Sequence, residues 1–164
     1  MKKIGIFYGT TTGTTREVAN LIAKALNVSE EDVKNVKDAA PSEVGDYDMV
    51  IFGASTWGDG DLQADMHDFL DGVAAFNLKG KRVALFGCGD ETMSDTFCNA
   101  LEEMYRMLRD TQATFVGQFN ADGYHFNESK SLTDDGLMLG LVIDNVNHPE
   151  LTSERVSEWC RLLN

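Results

Sequence analysis

Between residues 9 and 15 the chain reads Gly-Thr-Thr-Thr-Gly-Thr-Thr, set between the apolar run Ile4 to Tyr8 and a helical pattern that takes hold at Val18. Backbone N-H groups of such a turn, with the positive end of the helix that follows, favour an anion, and threonine hydroxyls add neutral donors. The chemistry implied is a phosphate pocket built without a cation. A nucleotide-hydrolysing phosphate loop would need lysine after its last glycine, where this chain has Thr14. The dinucleotide fingerprint fails as well, because Thr11 stands where its second glycine belongs. A phospho-acceptor reading on the same topology needs acidic residues after the first strand and an aspartate ending the third; Gly9, Thr10 and Ser55 occupy those places. A plain helix cap by Thr12 would account for one threonine and leave four unexplained.

Two further loops carry candidate chemistry. Ser55-Thr56-Trp57-Gly58-Asp59-Gly60-Asp61 is expected as a turn-rich loop offering an indole face. Gly87-Cys88-Gly89-Asp90-Glu91 supplies glycines where something flat approaches the backbone. Cys88 has no basic neighbour to lower its pKa and reads as a small packing residue. His67, His125 and His148 share no nucleophile or ligand spacing, so neither a hydrolase nor a metal site is indicated. A planar, phosphate-tailed cofactor suits all three loops.

The elements that must position these loops alternate along the chain. Ile4 to Tyr8, Met49 to Ala54, Arg82 to Gly87 and Leu137 to Ile143 read as buried strands, Thr114 to Gly117 as a further candidate, and Val33 to Val36 as an edge strand. Four apolar stripes at helical spacing separate them: Val18, Leu21, Ile22 and Ala25; Met66, Phe69, Leu70 and Val73; Phe97, Leu101, Met104 and Leu108; Val156, Trp159, Cys160 and Leu163. Alternation of this kind gives an α/β fold, a doubly wound parallel sheet with helices on both faces and ligands at the carboxyl edge. Residues 118–136 are polar and too long for an ordinary connection, which suggests a surface insertion splitting the last strand.

At 164 residues the chain is expected to form one domain, 1–164. Its 27 acids against 14 bases give a net charge of −13, which argues against nucleic acid and anionic membrane surfaces and suits a partner with a basic face. Three cysteines without C-x-x-C spacing fit a reducing cytoplasm, and the run Ile4 to Tyr8 is too short for a signal-peptide core.

The loop Thr10 to Thr15, the stretch Ser-Thr-Trp-Gly-Asp-Gly-Asp-Leu-Gln from Ser55 to Gln63, and Phe-Gly-Cys-Gly-Asp from Phe86 to Asp90 resemble flavodoxins, in order and over essentially the whole chain. The excursion, with Asp122-Gly123-Tyr124, resembles the insertion of the long-chain type. The resemblance implies a five-stranded sheet in the order 2-1-3-4-5, FMN as cofactor, and a monomeric cytoplasmic electron carrier that is not an enzyme. It assigns the phosphate to Thr10, Thr11, Thr12, Gly13, Thr14 and Thr15. The ring falls to Ser55, Thr56, Trp57, Gly58, Asp59 and Gly60, with Cys88, Gly89 and Asp90 at the second loop. Met93 takes the place where that family sets a tyrosine over the second flavin face. Repulsion from the phosphate and from Asp59, Asp61, Asp90 and Glu91 implies a low potential; about 2 kcal/mol of it is worth roughly 90 mV in a one-electron couple. The implied partners are reductases and oxidoreductases with basic docking faces. A flavin or quinone reductase on the same fold is the alternative.

Overall fold

The structure is a computed structural model that describes residues 3–9, 13–57, 61–88, 99–120, 133, 137–144 and 149–163. β1 (Ile4–Gly9), β2 (Val33–Asn35), β3 (Met49–Trp57) and β5 (Arg82–Cys88) lie parallel in the order β2-β1-β3-β5. The outermost position is shared by two short strands. β6 (Thr114–Val116) pairs with the first half of β5 and β9 (Leu141–Ile143) with its second half, both parallel. β4 (Asp61–Leu62) turns back antiparallel on the end of β3, and β7 (Phe119–Asn120) pairs antiparallel with β8 (Leu137–Met138). The sheet is therefore the doubly wound parallel sheet implied by the alternation of apolar runs and helical stripes, with the 2-1-3-4-5 order.

Successive strand residues feed opposite faces. Phe7, Val50, Phe52, Val83 and Leu85 meet α2 (Ala64–Val73) and α3 (Ala100–Leu108), where Phe7 stacks on Phe69 with ring centres 5.4 Å apart. Ile6, Tyr8, Ile51, Phe86 and Ile143 meet α1 (Thr14–Leu26) and α4 (Thr152–Leu163). Both faces being dry, the strands are almost continuously apolar, which is why they were visible as runs.

Three expectations are corrected. The buried stripe of α1 is Thr15, Val18, Ala19, Ile22 and Ala23, with Leu21 half-buried and Ala25 exposed. The i, i+3, i+4 pattern holds, but its axis is turned toward the sheet and α4. The run Leu137 to Ile143 is not one strand: Leu139 and Gly140 bend between β8 and β9. At Gly140 the chain comes so close to the Leu85 carbonyl that a side chain would strike the backbone of β5. The edge strand ends at Asn35, where the Asn35 side chain accepts from the Lys37 amide and starts a tight helical turn over Val36–Asp38.

Long-range bonds fix the layers. Arg82, opening β5, donates to the Leu163 carbonyl at the end of α4 over 3.2 Å, a cation placed at the negative helix end. The fully buried Trp159 donates its indole N-H to the Gly117 carbonyl over 2.6 Å, tying α4 to the chain leaving β6. Replacing Trp159 by Phe leaves that buried carbonyl without its donor, which costs about 1–3 kcal/mol. The expected result in urea is a lower midpoint with an unchanged slope.

Candidate functional site

The carboxyl ends of β1 and β3 are the natural crevice of this topology, because the chain leaves β1 for β2 on one side and crosses to β3 on the other. α1 begins there. Its N-cap, Gly13, has φ of 94°, a left-handed conformation that a side chain would strain. The first helical bond runs from the Glu17 amide to the Gly13 carbonyl over 3.1 Å. The amides of Thr14, Thr15 and Arg16 precede that bond, so helix geometry gives them no carbonyl of their own helix and directs them off its end.

Thr15 is fully buried although it is polar, and its hydroxyl is 2.7 Å from the hydroxyl of Ser55 near the end of β3. Ser55 stands in register with Cys88, the last residue of β5, and Cys88 in register with Ile143 of β9. α1, β3 and β5 thus meet at one hydroxyl pair. The Cys88 thiol is pushed up to about 12, chiefly by burial; a hydrogen bond from Thr15 pulls the other way and the Glu17 carboxylate adds to the rise. It is a protonated packing group at neutral pH and not a nucleophile.

Of the residues assigned from the sequence, the structure therefore brings together Gly13, Thr14, Thr15, Ser55 and Cys88. Thr56 and Trp57 do not lie in a loop: β3 continues through them, and they pair with Leu62 and Asp61 of β4. The short return strand β4 supplies hydrogen-bond partners that turn residues by themselves would not have. Thr10, Thr11, Thr12, Gly58, Asp59, Gly60, Gly89, Asp90 and Met93 lie outside the described residues.

Two residues here were not anticipated. Gln63 is buried and caps α2, its amide oxygen accepting from the Met66 N-H at 2.9 Å while its nitrogen donates to Asp65 at 3.1 Å. The same oxygen occupies the space beside Gly9, so any side chain at the end of β1 would collide with it. Glutamine is a weak cap signal, so only the abrupt start of the α2 stripe could have pointed to it. Glu17 is the second: its spacing from Thr15 gave no sign that its charge would act on Cys88.

The family model described as Flavodoxin matches residues 6–159. The chain is 38% identical to the flavodoxin of Haemophilus influenzae, over 98% of this chain and 93% of that one. It is 40% identical to flavodoxin 1 of Escherichia coli K12, over 96% and 90%. Among solved structures it superposes on Fusobacterium nucleatum flavodoxin bound to flavin mononucleotide with a TM-score of 0.89 and 31% identity, covering 99% of this chain and 97% of that one.

The raised thiols have a consequence for stability. Cys88 at about 12 and Cys160, buried on α4, at about 11 both lie above the ordinary thiol value of 9.0, burial being the leading cause in each. Their neutral form is favoured in the folded state, so the stabilisation is complete below about pH 9 and is lost as pH rises through 11 and 12. The unfolding free energy is expected to fall from pH 9 upward, and a Cys88→Ala variant to fall less steeply; urea titrations at pH 8, 9.5 and 10.5 read the difference.

Proposed function

The chain belongs to the flavodoxin family, and we propose that it serves as a low-potential carrier of single electrons whose FMN phosphate is held at the first turn of α1. It is an FMN electron-transfer protein rather than an enzyme. The observation that carries the phosphate assignment is the uncharged donor set at the switch point: the directed amides of Thr14, Thr15 and Arg16, entered through the left-handed Gly13 and seated on the buried Thr15 side chain. A phosphate dianion fits such a set, since dipoles and hydroxyls bind it without neutralising it.

FMN supplies the reversible one-electron chemistry when bound. The residues of the chain hold and orient it. We assign Thr10, Thr11 and Thr12 to the phosphate with Gly13, Thr14 and Thr15, and Thr56, Trp57, Gly58, Asp59, Gly60, Cys88, Gly89, Asp90 and Met93 to the ring. The net charge of −13 opposes further negative charge at the site, which supports a low potential. The free thiols of Cys88 and Cys160 suit a reducing cytoplasm, and no helix of the described residues is long and apolar enough to cross a membrane.

Partners of a carrier are redox proteins, and the net charge of −13 supports partners with basic docking faces. Asp65 and Asp68 are exposed on the first turns of α2, next to the hairpin that ends β3. Charge there governs encounter more than affinity. Changing both to Asn is expected to slow reduction by a basic-faced reductase about two- to fivefold at low salt and to flatten the salt dependence, with little change at high ionic strength. Stopped-flow rates across a salt series measure it.

The carrier reading itself is tested by mixing FMN-loaded protein with NADPH and with NADH. Flavin absorbance is expected to persist until a catalytic amount of an NADPH-dependent flavoprotein reductase is added. Direct stoichiometric bleaching by either nucleotide would replace the carrier with a reductase.

A further inference from the structure

β1 pairs with β3 only as far as Gly9 opposite Ala54, while β3 runs on to Trp57 and turns back as β4. The hairpin therefore projects past the end of β1. β4 is two residues long, and among the described residues its strand partner is β3 alone. Backbone pairing thus leaves open how far the hairpin stands from the end of β1. Gln63, which follows β4 directly, is placed to set that distance.

The Gln63 side chain is buried, its oxygen accepting from the Met66 amide over 2.9 Å and its nitrogen donating to Asp65 over 3.1 Å. Ser, Thr, Asp and Asn are the ordinary helix caps, and a glutamine cap has one methylene more than a cap requires. The extra length is used at Gly9. There a Cβ would overlap the Gln63 amide oxygen, with the Cβ of Met66 closing the space beside it. Met66 is fully buried in the core that contains Phe7, Ala54 and Leu62, so the amide bonds to a backbone that does not give way. A buried amide bonded through both its oxygen and its nitrogen has its rotamer fixed. One side chain thereby ties the return of the hairpin to the start of α2 and seats both against the last residue of β1.

We propose that Gln63 is a positioning residue for the flavin ring: it is the strut that sets the spacing of the β3–β4 hairpin from the end of β1, and it acts on the ring through the hairpin backbone. This rests on the FMN reading above. A helix cap alone would be served by a shorter side chain, whereas the strut needs the reach to Gly9 as well as the bond to Met66.

The test measures binding of FMN and of riboflavin, the same ring without the phosphate, by fluorescence quenching on apoprotein of the wild type, Gln63→Asn, Gln63→Ala, Gly9→Ala and the double variant Gly9→Ala/Gln63→Ala. Asparagine separates the two roles, because it caps well and is too short to reach Gly9. Gln63→Asn is expected to keep the urea midpoint of the wild type, to weaken both flavins by the same factor of about five, and to alter the visible circular dichroism of bound FMN. Gln63→Ala is expected to lower the midpoint and to weaken both flavins at least as much. Gly9→Ala is expected to displace Gln63 and reproduce the loss, yet to add little in the Gln63→Ala background. A Gln63→Asn protein that binds both flavins as the wild type does, with unchanged circular dichroism, would leave Gln63 a helix cap and overturn the proposal. Loss of FMN with riboflavin unchanged would put its action at the phosphate end and overturn it too, as would additive losses in the double variant. Should Gly9→Ala fail to fold, the asparagine variant decides. Wild-type apoprotein that takes up neither flavin would sink the FMN reading and this one with it; wild type that binds flavin beside unaffected variants would sink this one alone.

Discussion

A helix that starts at the carboxyl edge of a parallel sheet has amides at its first turn with no carbonyl to receive them, and everything else at this site follows from how that turn is held. The run from Gly9 to Thr15 holds no cation, and the helix has no capping side chain at Gly13. The chain offers a buried threonine bonded to a serine on the neighbouring strand. The remaining donors are therefore free of charge and directed outward, which selects an anion for its geometry rather than for its neutralisation.

The two cores explain why that turn stays where it is. On the α1 face, Val18 and Ile22 sit under the same strands that carry Ser55 and Cys88, and α4 closes the layer through Trp159 and the Arg82 bond to Leu163. On the other face Phe7, Phe52 and Phe69 form an aromatic cluster, Phe7 stacked on Phe69 and Phe52 tilted against both. At the opposite edge, Lys34 is raised and Glu43 lowered mainly by their mutual hydrogen bond, which fastens the edge strand β2 to the turn before β3. That pair is half-buried at the surface and contributes little to stability. The apolar faces carry the energy, and the polar bonds choose among registers.

Most of this architecture was legible in the residues. Buried strands announce themselves as apolar runs, and stripes such as Met66, Phe69, Leu70 and Val73 are the helices they appeared to be. What escaped was decided by tertiary contact. Ser, Thr and Trp at 55 to 57 have turn-like neighbours, yet pairing with Leu62 and Asp61 makes them strand. Leu137 to Ile143 is apolar throughout, yet the backbone of β5 at Leu85 breaks it at Gly140. The part of the site that could be read, Gly13 to Thr15, is local: a turn into a helix. Gln63 and Glu17 could not be read, because a residue that fills the space beside Gly9 or whose charge acts on Cys88 has no signature in its own neighbourhood.

The same distinction separates the threonines from one another. Five in seven positions look equivalent as a sequence, but a threonine that has sunk beneath the helix end does different work from one that remains on the loop. Thr15 has its hydroxyl committed to the sheet. It can still present its amide to an anion, and the rigidity of that amide is what a loop of hydroxyls alone would lack. A phosphate pocket without a cation has to replace charge by precision, since several weak dipoles sum to a strong site only if all point the same way at once. The absence of lysine and the burial of Thr15 are thus two sides of one constraint: a seat that leaves the anion's charge unneutralised has to be built into the core.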